Sequence, residues 1–274
     1  MQHRTVFFVS DQTGVTAETL GHSLITQFDG HKFNQVTLPF LDTVDKIEDA
    51  LEMINLKARE DEGPPIIFST LVQEEFREIF KPEKGLLIDF FASHLPLIES
   101  ELNSKSSHKL GQAHGLVDAG RYDLRIDATN FTLNNDDGAI TNDYERADII
   151  LVGVSRSGKT PTCLYLALTY GVYAANYPLS EDELENGKLP DVLLPHTHKL
   201  YGLTIKSKRL QQIRYERRPT GKYSTVQQVS FEVRAAEALF KRYQIPCIDT
   251  TSSSIEELAS TILASTGIER RIRP

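Results

Sequence analysis

Residues 153–160, Gly-Val-Ser-Arg-Ser-Gly-Lys-Thr, have types and a spacing that suit phosphate binding. Glycines let a backbone turn pass close to phosphate oxygens, and the amides of such a loop converge as hydrogen-bond donors. A lysine directly after the second glycine reaches terminal phosphates, and the hydroxyl that follows can bind Mg²⁺. The pattern predicts a nucleotide site made of eight residues: Gly153, Val154, Ser155, Arg156, Ser157, Gly158, Lys159 and Thr160.

The sequence on either side of this loop supports the same interpretation. The apolar run 149–152 predicts a strand that ends at the loop, and residues 159–170 predict a helix that begins there. A helix N-terminus adds positive potential where the anion would lie. Pro161 is compatible with a first helical turn, where the amide has no partner to lose. Arg156, at the crest, contacts a transferred phosphoryl group, a partner's phosphate or only solvent, and the sequence leaves these open.

A second strand–loop–helix pattern covers residues 10–18. Such turns lie at the carboxyl edge of an open sheet, where ligands bind. Asp11 is a candidate base or acceptor there, and Thr13 and Gly14 are suited to hold an anion. The alternative is an ordinary helix start with Thr16 as the capping residue. Because no GxGxxG pattern follows, the sequence gives no support for a nicotinamide cofactor.

Two further groups of acidic residues are candidates for metal chemistry. Asp249 ends a predicted strand, in the position of a Walker B carboxylate. Asp136 and Asp137 are possible ligands for Mg²⁺, but they belong to an Asn-Asn-Asp-Asp-Gly segment that is typical of a turn.

The histidines give weaker signals. His196 and His198 would face the same side of a strand, but two ligands do not make a zinc site. His114 is isolated in the sequence, which favours a structural or surface position.

The order of apolar and amphipathic segments predicts an α/β fold in two blocks. Residues 1–104 are predicted to form a Rossmann-like open parallel sheet, because short apolar strands alternate with helices. Residues 105–145 are predicted to be a linker and a connecting helix. Residues 146–274 are predicted to form a P-loop kinase-like α/β domain. The sequence does not decide whether the two blocks share one sheet.

The composition excludes several classes of protein. The chain has 274 residues, of which 40% are hydrophobic, and its net charge is −8. General nucleic-acid binding needs a basic surface, so no nucleic-acid partner is expected. No apolar run approaches the roughly 20 residues that span a bilayer, and no signal peptide is recognisable, so we expect a cytoplasmic protein without a membrane partner. Cys163 and Cys247 lie in apolar settings and are predicted to be buried thiols.

A basic run stands out against the acidic balance of the chain. One acid, Glu216, accompanies seven cations in residues 206–222: Lys206, Lys208, Arg209, Arg214, Arg217, Arg218 and Lys222. The run is either a solvated helix face or a surface that steers an acidic or phosphorylated protein.

Several long motifs, in order, resemble the bacterial phosphoenolpyruvate synthase regulatory proteins. The motifs are SDQTGVTAETLGH at 10–22, HGL at 114–116, RYDLRIDATNFTLNNDDG at 121–138, GVSRSGKTPTCLYLA at 153–167, AANYP at 174–178, HKLYGLTI at 198–205 and RYERR at 214–218. The resemblance covers nearly the whole chain. It implies a bifunctional enzyme that uses ADP to phosphorylate, and so inactivate, a threonine beside the catalytic histidine of the synthase. The same enzyme removes that phosphate with inorganic phosphate and releases pyrophosphate.

The resemblance also implies roles for residues of this chain. Nucleotide binding falls on residues 153–160, with ADP and inorganic phosphate as ligands and Mg²⁺ left open. From their positions in the sequence, we expect Lys159 and Arg156 to stabilise the moving phosphoryl group, and Asp11 is a candidate base for the substrate hydroxyl. Ser157 and Thr160 are expected to position phosphate or metal. The residues expected to dock the target are Arg214, Arg217 and Arg218.

Three alternatives stay open at this stage. A sister branch acts on pyruvate, phosphate dikinase, but its loop often lacks the second glycine, which this chain has as Gly158. An ATP-dependent kinase for a small metabolite would need no protein substrate. A nucleotide-sensing module would bind without chemistry. The sequence does not give the oligomeric state, and a homodimer remains open.

Overall fold

A computed structural model describes residues 3–109 and 119–272 of the chain. The chain divides into two compact units at residues 117 and 118. Each unit has its own four-stranded parallel sheet with helices between the strands, so the described residues do not form one shared sheet. The predicted α/β class is confirmed.

The first unit alternates strands and helices without interruption. Its elements are β1 (His3–Val9), α1 (Val15–Ile25), β2 (Lys32–Leu38), α2 (Val44–Glu60), β3 (Ile66–Ser69), α3 (Glu74–Ile79), β4 (Leu86–Asp89) and α4 (Phe90–Leu102). The strand order is β2-β1-β3-β4, and every neighbouring pair is parallel. Successive residues of β1 face opposite sides of the sheet, so Phe7 packs towards α2 and α3, and Phe8 packs towards α1.

The second unit begins with a helix and then repeats the same alternation. Its elements are α5 (Ala119–Asn134), 3₁₀ turns at Asp136–Gly138 and Tyr144–Arg146, β5 (Ile149–Gly153), α6 (Lys159–Tyr170), β6 (Ala174–Pro178), α7 (Glu181–Asn186), a 3₁₀ segment at Asp191–Lys199, β7 (Leu200–Thr204), α8 (Ser207–Arg217), a 3₁₀ turn at Lys222–Ser224, α9 (Val226–Arg242), β8 (Cys247–Asp249) and α10 (Ile255–Thr266). The strand order is β6-β5-β7-β8, again all parallel.

Strand β5 is buried along its whole length, as expected for a central strand covered on both faces. Ile150 and Val152 belong to a core shared with α9, whereas Ile149 and Leu151 belong to a core shared with α6 and α10. This packing fixes the end of β5, and therefore the start of the loop that follows it.

Helix α5 packs against α6 and β6 and therefore belongs to the second unit. The sequence pattern predicts a linker with a connecting helix at residues 105–145. The helix is present, but it forms part of the body that carries the loop. His114 lies outside the described residues.

The buried face of α1 includes its small residues and neither of its leucines. Leu20, Leu24 and Phe28 are exposed, and the buried residues include Ala17 and Gly21. The reason is steric, because a Cβ atom on Gly21 would lie 2.6 Å from ring atoms of Phe8 and Phe68. The small residues of α1, not the leucines, let the helix approach the sheet.

Two smaller expectations are also corrected. Cys163 is buried as predicted, but Cys247 is exposed, because β8 is a three-residue strand at the edge of its sheet. His196 and His198 do not lie on a strand but in the 3₁₀ segment, so they do not share a face in the way predicted. In the described ranges, no helix is both long and apolar enough to cross a membrane.

Candidate functional site

The loop at residues 153–160 joins the end of β5 to the start of α6, as the sequence predicted. Gly153 is required by space, because a Cβ atom there would lie 2.4 Å from the carbonyl oxygen of Leu203. Gly158 precedes α6 with φ +92°, a conformation that L side chains rarely adopt. Arg156 has φ +74° and is one of the few described non-glycine residues with a positive φ. The loop is therefore a tight turn held against the sheet.

Lys159 points its ammonium group back into this loop. Its Nζ donates a hydrogen bond to the carbonyl oxygen of Val154 at 3.0 Å, and the residue is 4% exposed. Burial lowers the pKa of Lys159 to about 8, while the nearby Asp137 and Asp136 act in the opposite direction. A phosphate group beside this ammonium would supply the negative charge that favours its protonated form.

Ser157 contributes a second buried polar group. Its Oγ is buried and has no hydrogen-bond partner in the described part of the chain, although its backbone amide donates to Val154 at 3.3 Å. A buried hydroxyl without a partner costs free energy, so it is suited to donate to a bound oxyanion. Ser157 and Lys159 thus give this loop two buried side-chain hydrogen-bond donors.

The turn at residues 135–138 lies directly beside the loop. Thr160 Oγ1 donates to Asp136 Oδ1 at 2.8 Å, and Asn176 Nδ2 donates to the same carboxylate oxygen. Asn176 Oδ1 in turn accepts from the amide of Asp137 at 3.1 Å. Asn176, on β6 next to β5, therefore fixes the turn so that a carboxylate meets the threonine of the loop.

The sequence indicates Asp136 only as a possible Mg²⁺ ligand, because its Asn-Asn-Asp-Asp-Gly segment is typical of an ordinary turn. No local spacing signals its contact with Thr160, which is 24 residues away. The contact arises because β6 pairs with β5, and this pairing brings Asn176 of β6 close to both the turn and the loop. The other candidate carboxylate, Asp249, lies on β8, and β7 separates that strand from β5. Asp249 accepts from the amide of Thr251 at 2.8 Å instead.

The oxygen atoms of Thr160 and Asp136 are compatible with Mg²⁺. This ion prefers oxygen ligands and is usually held by one or two protein groups together with water and substrate phosphates. No group of three or more His, Cys, Asp or Glu residues that could hold a metal by itself occurs among the described residues. A metal at this site would therefore depend on a bound phosphate.

Asp11 lies in the first unit, whereas the loop lies in the second. Its Oδ2 accepts from the amides of Val72 at 2.6 Å and Gln73 at 3.2 Å, and its buried Oδ1 has no described partner. Burial raises the pKa of this carboxyl above its usual range, although both amides act in the opposite direction. Helix α1 begins after Gly14, without a side-chain cap, so the alternative of a helix start capped by Thr16 is wrong.

The three arginines assigned to docking have different environments. Arg217 and Arg218 are exposed, as a docking surface requires. Arg214 is fully buried, and its guanidinium pairs with Glu232 at 2.6 Å. Arg214 therefore does not dock a partner, and that expectation is corrected. In the sequence it could not be told apart from its exposed neighbours in the basic run.

The two parallel sheets define an α/β protein, and its strand–loop–helix carries a buried lysine and a buried serine hydroxyl without a described partner, both of which suit an anion. Comparison with known proteins agrees with this class. Residues 6–263 match the family described as Kinase/pyrophosphorylase, and the chain belongs to that family. It is a phosphotransfer enzyme, and the family predicted from the sequence motifs is confirmed.

Curated relatives match over nearly their whole length. A protein of Alkalilimnicola ehrlichii is 52% identical over 269 residues, which is 98% of each chain. Proteins of Alcanivorax borkumensis and Pseudomonas putida W619 are 49% and 50% identical over 270 residues, 98% of this chain and 99% of theirs. All three carry the provisional name phosphoenolpyruvate synthase regulatory protein.

Proposed function

We propose that this chain regulates phosphoenolpyruvate synthase by adding and removing a phosphate on a threonine beside the catalytic histidine of that enzyme. The observation that carries the proposal is the loop at 153–160, with Lys159 and Ser157 buried in it. The relatives, which align from end to end and are named for this target, support the choice of substrate. We also propose that the protein acts in the cytoplasm.

The two proposed reactions are phosphoryl transfers at the same threonine oxygen. In the forward direction, the threonine Oγ attacks the β-phosphorus of ADP, the bond from that phosphorus to the bridging oxygen breaks, and AMP leaves. The threonine proton passes to a base. In the reverse direction, an oxygen of inorganic phosphate attacks the phosphorus on threonine, pyrophosphate forms, and the threonine oxygen regains a proton. Both reactions need a site that stabilises charge on a moving phosphoryl group.

The loop residues have chemistry that suits this task. Lys159 would exchange its bond to the Val154 carbonyl for one to a phosphate oxygen, and Ser157 Oγ would donate a second bond. Arg156, which is exposed at the crest, would approach the phosphoryl group from the side of the incoming substrate. Thr160 and Asp136 would hold Mg²⁺ against the phosphates, where the ion would neutralise part of their charge.

Two carboxylates are candidates for the base. Asp11, proposed from the sequence, has a raised pKa and an unpartnered Oδ1, both of which suit proton transfer. Asp136 accepts a hydrogen bond from Thr160, which is a residue of the loop, and Asp136 is only partly buried. The Asp136 site is therefore the one with a defined position relative to the phosphate loop.

The exposed end of α8 is the proposed docking surface for the synthase. Arg217 and Arg218 lie there beside Tyr215, which is 54% exposed. Exposed arginines beside an aromatic ring are common at the centre of protein interfaces. They would favour an acidic partner surface and accelerate its association.

The proposal is tested by mass spectrometry of the synthase. Purified protein is mixed with histidine-phosphorylated synthase and either ADP or ATP freed of ADP. A phosphate on threonine that forms with ADP, and disappears with inorganic phosphate as pyrophosphate is released, is the expected result. No threonine phosphate with either nucleotide would refute this target. The same assay with pyruvate, phosphate dikinase would then test the sister branch.

A further inference from the structure

A buried arginine lies behind the crest of the phosphate loop. Arg214, on α8, donates from Nε and Nη2 to the carbonyl oxygen of Ser155, at 3.3 and 3.0 Å. Arg214 and Ser155 are 59 positions apart in the sequence, so this contact ties α8 to the loop. Two donors on one carbonyl oxygen fix its direction more closely than one would.

The direction of this carbonyl decides where the next amide points. In a trans peptide, the C=O of one residue and the N–H of the next lie in one plane and point in opposite directions. The carbonyl of Ser155 points at Arg214, so the amide hydrogen of Arg156 points away from it. Arg156 also has φ +74°, a conformation that costs free energy and needs support from its surroundings.

Contacts with Glu232 and Tyr223 hold the guanidinium of Arg214 in place. Glu232 accepts from Nη2 at 2.6 Å, and Gln228 donates to the other oxygen of the same carboxylate at 3.0 Å. Tyr223 stacks on the guanidinium with its ring centre 4.4 Å away, and its carbonyl oxygen accepts from Nη1 at 3.2 Å. The Tyr223 hydroxyl also lies 3.1 Å from Ser155 Oγ. The whole group converges on the loop crest.

Stability alone does not account for such a group. A buried ion pair contributes little net stability, because the cost of removing both charges from water offsets their attraction. Its directed hydrogen bonds do, however, enforce one geometry. The bonds of this pair that leave α8 and α9 end on the loop crest and on Tyr223, which itself contacts Ser155.

We propose that Arg214 is a positioning residue that turns the Arg156 amide towards the bound phosphate, and so sets the affinity of the loop for inorganic phosphate and for ADP. Phosphate loops bind oxyanions through backbone amides, and a rotated peptide would present a carbonyl oxygen to the anion instead. Arg214 itself does not touch the ligand. This inference rests on the proposed function, because it assumes that the loop binds phosphate.

A matched control exists at the other end of β5. Arg271 donates to Asp148 and to the carbonyl oxygen of Gly171 at 3.1 Å, and its guanidinium lies 4.7 Å from the centre of the Tyr173 ring. The contacts are of the same kinds as those of Arg214. Asp148 directly precedes β5, however, whereas the loop follows it. The Arg271 side chain is 35% exposed, unlike the buried one of Arg214, so Arg271 reports what contacts of these kinds contribute to stability away from the loop.

The experiment compares Arg214→Lys with Arg271→Lys in the full chain. Lysine keeps the charge but cannot donate in two directions to Ser155 while it also holds Glu232. Phosphate and ADP affinities are measured by calorimetry, and stability is measured by thermal unfolding. We expect about 10-fold or more weaker binding of both ligands in Arg214→Lys. Arg271→Lys should lose stability without any change in affinity.

The outcomes separate this inference from the function on which it rests. A wild-type chain that binds neither ligand would refute the phosphate site itself. A wild-type chain that binds both, with a folded Arg214→Lys variant of equal affinity, would overturn only the role of Arg214.

If Arg214→Lys does not fold, the wild-type chain labelled with ¹⁵N-arginine carries the test. The Arg156 amide resonance, identified by its loss in Arg156→Lys, should move downfield when inorganic phosphate is added. An unmoved Arg156 resonance under saturating phosphate would overturn the proposal.

Discussion

The two units of this chain have the same sheet topology but different chemistry at the loop after their first strand. In each sheet the first strand is central, the second lies on one side of it, and the third and fourth lie on the other. In the first unit the loop places a carboxylate, Asp11, against backbone amides. In the second it places an ammonium group, Lys159, against a backbone carbonyl. The topology thus supplies a position for a polar group, and the loop sequence decides its charge.

The largest effect is expected when the ammonium group of Lys159 is removed. Lys159→Met should abolish both the ADP-dependent and the phosphate-dependent reaction, by about 10³-fold or more, because transition-state charge loses its main partner. The fold should persist, since methionine suits a buried position. Mass spectrometry of the target threonine and thermal unfolding check the two parts. Retained activity would remove Lys159 from the mechanism.

A second test compares the carboxylates of the two units. Asp136→Asn should lower kcat by about 100-fold in both directions, because a neutral amide cannot take the threonine proton and attracts Mg²⁺ less strongly than a carboxylate does. Asp11→Asn is the matched control, since it makes the same chemical change in the loop that follows β1 of the first unit. A loss of the same size in Asp11→Asn, with Asp136→Asn close to wild type, would place the base on the first unit.

A smaller effect is expected from the exposed end of α8. Arg217→Glu combined with Arg218→Glu should raise the KM for the synthase about 10-fold and leave ADP affinity unchanged. Lys206→Glu combined with Lys208→Glu makes the same charge change near the start of the helix. An equal effect of both pairs would indicate general charge attraction instead of a defined docking surface. The comparison is best made at physiological salt, where distant charges are screened.

The smallest expected effect is on stability at alkaline pH. Burial lowers the pKa of Lys159 to about 8 in the folded chain, below the ordinary lysine value of 10.5. Between these values the unfolded chain binds the proton and the folded chain does not, so the contribution of Lys159 to stability rises as pH increases. We expect about 1 kcal/mol between pH 8 and 9 in denaturant unfolding. Lys159→Met should lack this increment, and an identical pH dependence in that variant would contradict the assignment.

Local sequence patterns predicted much of the fold. Strand β5, the loop and helix α6 were placed within about a residue, because an apolar run, two glycines and a helical pattern meet there. Helix α10 likewise begins with a capping box of Ser254 and Glu257, which lie only three residues apart in the sequence. In these places the signal and the structure involve the same few neighbouring residues.

The contacts that complete the candidate site could not be predicted in this way. Asp136 meets Thr160 only because β6 pairs with β5, and Arg214 is buried only because α9 brings Glu232 against it. Each depends on packing between distant segments, and neither leaves a local pattern. The exposed leucines of α1 show the same limit, since the rings of Phe8 and Phe68 decided which face was buried.

The hydrogen bond from Lys159 to Val154 also has a consequence for selectivity among anions. Without a ligand, the ammonium group is already occupied by a carbonyl of its own loop. An incoming anion must displace that internal acceptor, and a singly charged ion such as chloride gains less from the exchange than doubly charged phosphate does. The internal hydrogen bond therefore competes with the anion and lowers the affinity of the loop for it. Weakly charged ions in the solvent would leave the loop closed on itself.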